Sequence, residues 1–397
     1  MVAGFTWLAV VASLTLRPVS AEWLMDLHEA QTCLICGYRG AADAVLNAVL
    51  FLPLGIVLGG GRRAWVTALV VGAALSASIE GIQLMLPGRH AGIADIVWNS
   101  TGSVIGVLVS RLISRRLAGV VGREALAAAA ITAVLLILAG SLLKPSQTDA
   151  DYWGQLTPDL GSMPRYRGRV LNAQLNGTAI YSRRIEAEPP HRALFAGAWT
   201  FGGEIVVGPG PRSVSPILSI FDGNQEEVVL LGAHGNDLVF RERTLARGVR
   251  LDSPDFRVTG AFALFSPGDT VTIAAWRDNG GLCLRLEETR KCDVGATPGR
   301  SWGLLLYLEG PSEGVRWVLD QVWLMILFAP LGLLARTKTA ATVAGGIGLA
   351  GLLLSITLTP FVLGPCTEFL ACVLGVAAGR AALLVLQWIA ATNQASA

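Results

Sequence analysis

The sequence predicts a polytopic α-helical membrane protein, about eight spanning helices in two four-helix halves, that carries an all-β sandwich outside the bilayer. Hydrophobic residues make up 52% of the 397 positions and charged residues only 15%, with a mean hydropathy of +0.54, too apolar for a soluble chain of this size. Apolar runs of spanning length recur along both ends of the chain. Between Gln155 and Leu308 they give way to period-two alternation punctuated by Gly, Asn and Asp, the pattern of short strands. A net charge of +2 makes no case for a nucleic-acid partner.

The apolar runs fall at 3–16, 43–60, 64–86, 95–112, 124–143, 318–335, 340–363 and 367–390, against roughly 20 residues for a crossing helix. The first is short and ends in Val19-Ser20-Ala21, so a cleaved signal peptide competes with an uncleaved helix; the lack of a preceding Lys or Arg favours the helix. Arg62 and Arg63, then Arg115, Arg116 and Arg123, then Arg336 and Lys338 occupy alternate loops. Basic loops stay cytoplasmic, which puts both termini inside and the segments 17–42, 87–94, 144–317 and 364–366 outside. The expected domains are a helical unit at 1–112, a basic loop and fifth span at 113–143, the sandwich at 144–317 and the last helices at 318–397.

An outer compartment permits disulfides, and Cys283 and Cys292 flank a short stretch after a hairpin strand, a spacing fit for a bridge. Cys33 and Cys36 are too close for a routine staple and read as a labile disulfide or half a metal site. Nothing accompanies them at zinc-ligand spacing, so neither a metal nor a cofactor is expected.

The two halves echo each other. Asp43 stands eight residues before Phe51-Leu52-Pro53-Leu54-Gly55, and Asp320 eight before Phe328-Ala329-Pro330-Leu331-Gly332, an offset of 277. Asp95, Asn99, Gly102 and Gly106 share their spacing with Glu368, Cys372, Gly375 and Gly379 at an offset of 273, which also carries Pro87 onto Pro360. Chance matching of Pro and Gly in apolar runs is the competing explanation. Glu80, Gln83, Asn47 and Asn99 have apolar or cysteine counterparts in Leu353, Ile356, Leu324 and Cys372, so the first half is expected to hold the site and the second to be scaffold.

In the outer segment, strands are expected at Arg169–Leu175, Ala196–Val207, Pro216–Phe221, Glu227–Leu231, Asp237–Arg241 and Trp302–Tyr307, with a hairpin at Asp278-Asn279-Gly280-Gly281. The run Ser219-Ile220-Phe221-Asp222-Gly223, followed by Val228–Leu231 and Leu238–Arg241, resembles the laminin-G and concanavalin-like superfamily in strand order and apolar rhythm. That resemblance implies a jelly-roll whose relatives often bind glycan, sometimes through Ca²⁺, for which Asp222 and Asn224 are the candidates. A sandwich that merely docks on the helices is the simpler reading.

Polar residues interrupt the first half at helical spacing. Asp43 and Asn47 open its second span, Glu80 and Gln83 close the third, Asp95 and Asn99 open the fourth, and Pro87 and Arg89 lie in the turn between the last two. Carboxylates inside a bilayer are costly, which marks Glu80 above all as functional. Asp43 and Asp95 alone also read as helix N-caps, and Arg89 as a headgroup anchor beside an incidental His90. Gly102 and Gly106 form a small-xxx-small seam for close helix approach.

The sequence Asp43-x3-Asn47-x3-Phe51-x-Pro53-x-Gly55, then Glu80-x2-Gln83-x3-Pro87-x-Arg89-x5-Asp95-x3-Asn99-x2-Gly102-x3-Gly106, resembles the VanZ-like family of bacterial membrane proteins over about the first 112 residues. The resemblance implies a multi-pass protein of the bacterial plasma membrane and a link to low-level resistance to teicoplanin-type glycopeptides, but no particular reaction. The expectation is an outer polar cluster that binds the headgroup of a lipid-linked envelope precursor among membrane lipids, with the sandwich contacting glycan. An intramembrane enzyme with Glu80 or Asp95 as general base, and a proton-coupled transporter using both halves, are the alternatives.

Overall fold

The computed structural model describes residues 2–16, 33–35, 37–87, 91–117, 123–147, 151–160, 163–186, 195, 197–278, 281–308 and 312–395. Five helices come first: α1 (Val2–Thr15), α2 (Gly40–Val57), α3 (Ala64–Gln83), α4 (Ile93–Leu117) and α5 (Glu124–Leu142). Beyond the β region, where α6 (Leu245–Gly248) is a single turn, follow α7 (Glu313–Leu333), α8 (Lys338–Leu358) and α9 (Cys366–Ala395). Seven of the described helices are long and apolar enough to cross a membrane. Of the eight expected spans, the first is the 14-residue α1; Val19-Ser20-Ala21 lies outside the described residues. α1 packs into the first set through Trp7, whose Nε1 donates to Leu50 O at 2.8 Å and whose ring meets Phe51 edge-on at 5.9 Å.

Glycine lets the helices touch backbone to backbone. A Cβ on Gly55, Gly102 or Gly106 would lie 1.8, 2.0 or 2.2 Å from Ser103 O, Ala48 O or Leu52 O, so α2 and α4 are in contact where only hydrogen fits. The pair α7 and α9 does the same with Gly332 against Val376 O, Gly375 against Met325 O and Gly379 against Ala329 O. Each member of the second trio of contacts stands 277 or 273 residues after its counterpart in the first. The sets then diverge. α3 lies along α4, whereas α8 lies along α5 and touches α9 lightly, with Gly351 held against the Cβ of Ala133.

The β region folds into two antiparallel sheets. One has the order β1 (Tyr152–Leu156), β5 (Ser215–Asp222), β6 (Glu227–His234), β7 (Asp237–Glu242), β8 (Phe256–Val258). The other runs β11 (Thr289–Lys291), β10 (Gly281–Leu286), β9 (Thr270–Asp278), β4 (Trp199–Val206), β2 (Arg169–Leu175), β3 (Thr178–Ala179). Ile217, Ile220, Leu231 and Phe240 from the first and Phe201, Ile205, Ile273 and Leu284 from the second share one core, each side chain stabilising by about 1.5–3 kcal/mol. β9 and β10 form the hairpin, Asp278 opposite Gly281, with Asn279 and Gly280 outside the described residues. Cys283 and Cys292 are joined by a disulfide, and Cys33 is also disulfide-bonded, its near neighbour Cys36 lying outside the described residues.

Two expectations for this region fail. Trp302–Tyr307 is not a strand: a 3₁₀ helix occupies Gly299–Leu304. Its consecutive side chains Ser301 and Trp302 both bond to α7, Ser301 Oγ accepting from Trp323 Nε1 and Trp302 Nε1 donating to Asp320 Oδ1, each at 2.8 Å. A strand would have sent them to opposite faces. Asp222 is no free calcium ligand either. Its carboxylate is fully buried, accepts from the backbone N–H groups of Asn224 and Glu226, and pairs with Arg243 at 2.9 Å.

Candidate functional site

Four of the polar residues singled out in the first half meet between α2, α3 and α4. Asn47 Nδ2 donates to Asp95 Oδ1 at 2.7 Å, joining α2 to the first turn of α4. Glu80, near the end of α3 and 6% exposed, accepts the Gly92 N–H at 2.7 Å and so satisfies a donor at the entrance of α4. Its charge interacts with that of Asp95. One turn further in, Asn99 Nδ2 donates to Ser76 Oγ at 2.9 Å, while the buried Asn99 Oδ1 has no partner among the described residues. Ser103 Oγ in turn donates to Asn99 O at 3.1 Å.

The remaining candidates go elsewhere. Gln83 is buried, but its Nε2 donates to Thr15 O on α1 at 2.9 Å, so it closes the α1–α3 contact instead of facing Asp95. Asp43 is exposed, one turn above Asn47 on α2, and carries no side-chain hydrogen bond among the described residues. Neither Asp43 nor Asp95 is an N-cap: Arg39 precedes α2, and both acids sit inside the first turn, where the helix dipole favours their charge. Phe51 and Gly55 are buried beneath the cluster, Pro53 lies inside α2, and Pro87 is exposed in the turn after α3. Arg89 and His90 lie outside the described residues.

The sequence reads the second half as scaffold, yet two of its acids, Asp320 and Glu368, are heavily bonded. Asp320, in α7, receives Arg300 Nε and Nη2, the latter at 2.8 Å, together with Trp302 Nε1. Glu368, in α9, accepts from the Thr297 hydroxyl and, at 3.1 Å, from the Gly299 N–H. Both are buried, at 5% and 2% exposure. All four donors belong to the segment 297–302 of the β domain. Its Pro-Gly-Arg-Ser-Trp sequence, a turn signal followed by strong donors, was the available clue.

The β domain also rests on the first set. Arg39 pairs with Asp252 at 2.8 Å and donates to Leu305 O, the Arg247 guanidinium stacks on the Tyr38 ring, and Ala41 N donates to Arg250 O. Burial pushes the Asp252 carboxyl up, against the pull of Arg39 and Arg247. The sandwich therefore bridges the entrance of α2 and the entrances of α7 and α9.

Helices of spanning length joined to an all-β domain define a multi-pass membrane protein. Residues 5–114 match the family model described as VanZ/LLP1, so the first helical set is VanZ-like; the β domain and the second set lie beyond the match. No curated protein and no solved structure matches the chain.

Proposed function

We propose that the protein is an envelope membrane protein of bacteria whose VanZ-like helices receive, between α2, α3 and α4, the polar headgroup of a lipid-linked envelope precursor, beneath a sandwich on the outer side of the plasma membrane. The observation that carries this reading is the unequal treatment of corresponding acids. Read as copies, as the matched glycine contacts support, the two sets present Asp43 and Asp95 in the first and Asp320 and Glu368 in the second. The second pair is filled by the chain's own Thr297, Gly299, Arg300 and Trp302. In the first set Asp95 accepts from Asn47, but Asp43 remains exposed and the buried side-chain Oδ1 of Asn99 has no partner among the described residues, a costly state that a ligand or a water relieves.

The donors that fill the second pair indicate what the first accepts: a cation together with neutral N–H or O–H groups, as an amino- and hydroxyl-bearing headgroup presents. For glycan, the sandwich offers a groove of about 480 Å³ lined by Pro164, Arg165, Arg167, Arg212 and Ser213, suited to an acidic sugar. The transporter and enzyme readings have no comparable observation behind them.

The likeness to VanZ ties the proposal to glycopeptide resistance. Expressed at matched membrane levels in a susceptible host, the wild type is expected to raise the inhibitory concentration of teicoplanin severalfold. Asp95→Asn and Glu80→Gln, which keep the hydrogen-bonding shape but remove charge, are expected to abolish the gain. Full protection from both variants, or none from the wild type, would sink the proposal.

A further inference from the structure

Three arginines converge where the β domain meets α7. Arg257 of β8, Arg300 of the 3₁₀ turn and Arg316 of the first turns of α7 line a cavity of about 40 Å³ together with Asp255, Trp302 and Tyr307. That is room for roughly three waters on a scale of about 10–15 Å³ each, enough for a small oxyanion.

Two of the three guanidiniums are anchored. Arg300 is held by Asp320, and Arg257 by Asp255 at 3.2 Å and by His234 Nδ1 at 2.7 Å. Arg316 is different. It is 9% exposed, yet among the described residues its guanidinium makes no hydrogen bond and no ion pair. The charges that reach it are the like charges of Arg257 and Arg300 and, beyond ion-pair distance, Asp237 and Glu313. A largely buried guanidinium with cationic neighbours and no ion pair of its own gains when an anion completes the set.

Its position says where the anion comes from. Val315, Trp317 and Val318, next to Arg316 in α7, are each about half exposed at 50%, 48% and 49%. Apolar side chains and a tryptophan at the end of a spanning helix mark the headgroup layer.

We infer that Arg316, with Arg257 and Arg300, forms a phosphate-binding notch at the junction of the sandwich and α7. The notch takes an oxyanion supplied by an anionic phospholipid headgroup or by free phosphate. It involves none of the residues between α2, α3 and α4 and stands or falls independently of that site. Arg is suited to the task because its planar fork meets two phosphate oxygens at once.

The test uses the full chain in lipid nanodiscs and in an uncharged detergent. Native mass spectrometry counts retained phosphatidylglycerol against phosphatidylcholine, and thermal melts compare sodium phosphate with sodium chloride at equal ionic strength. Preferential retention of phosphatidylglycerol in the wild type, reduced about tenfold in Arg316→Gln and partly restored in Arg316→Lys, is the expected result. Arg336→Gln, at the opposite end of α7, should match the wild type. A melt raised by inorganic phosphate alone, and lost in Arg316→Gln, assigns the notch to the free anion. Equal retention of both lipids with no phosphate effect overturns the inference, as does an Arg316→Gln protein that binds like the wild type. The unliganded melts of Arg316→Gln and Arg316→Lys show whether each variant is folded.

Discussion

Asp255 shows how a buried charge is kept in place. Arg241 Nε donates to it at 2.7 Å and Arg257 Nη2 at 3.2 Å. Burial pushes its carboxyl up, but the two guanidiniums outweigh burial and hold it below the ordinary 3.8. A carboxyl depressed by folding contributes stability that is complete above 3.8 and is lost as the pH falls through the lower folded value. Asp255→Asn should therefore flatten the acid limb of a stability profile measured by tryptophan fluorescence, and cost about 3 kcal/mol at neutral pH; an unchanged acid limb would contradict the assignment. In the membrane part, Asn47, Glu80, Asp95 and Asn99 were legible because polar side chains inside apolar runs stand out. Gln83 misled for a physical reason: helical spacing shows which residues share a face but not which neighbour that face meets, and its neighbour is α1. Ser76 stayed hidden because a small hydroxyl inside a helix usually bonds to its own backbone.

At the scale of elements, the α2–α4 and α7–α9 pairs rest on glycines whose spacing was visible in the sequence. Gly102→Val would drive a side chain into Ala48 O and Gly375→Val one into Met325 O, with Cβ distances of 2.0 and 2.6 Å before any relaxation. Both are expected to destabilise the protein by at least about 2 kcal/mol, the scale of overpacking, and Gly102→Val to do so more. Melting curves in detergent check the order, and a harmless Gly102→Val would contradict the close approach. The 3₁₀ turn 299–304 was not legible. Its apolar rhythm at Trp302–Tyr307 imitates a strand, and only the tertiary demand of Asp320 for donors bends it. Removing that demand should release the turn: Asp320→Ala leaves Arg300 and the Trp302 N–H unpaired, a loss of about 3–5 kcal/mol. It should also expose the segment near Arg300 to trypsin. Resistance equal to the wild type would mean the clamp is not what holds the β domain down.

Over the whole molecule, composition and hydropathy forecast the division into helices and strands, because an apolar helix and a half-buried strand have different periods. How the β domain sits on the helices was invisible, since it depends on single polar contacts between segments far apart in sequence: Arg39 with Asp252, Arg300 with Asp320, Thr297 with Glu368. Those contacts make the two helical sets unlike. One has Asp320 and Glu368 sealed by the chain, and the other keeps Asp43 exposed beside a partly bonded polar cluster. The measurement that tests this most directly is labelling of intact cells with a membrane-impermeant maleimide, comparing Asp43→Cys with Asp320→Cys in a Cys366→Ser, Cys372→Ser background. Asp43→Cys is expected to be modified from outside the cell, and Asp320→Cys, covered by Arg300 and Trp302, to be protected. Labelling of Asp43→Cys only after the membrane is opened, or equal labelling of both, would contradict it.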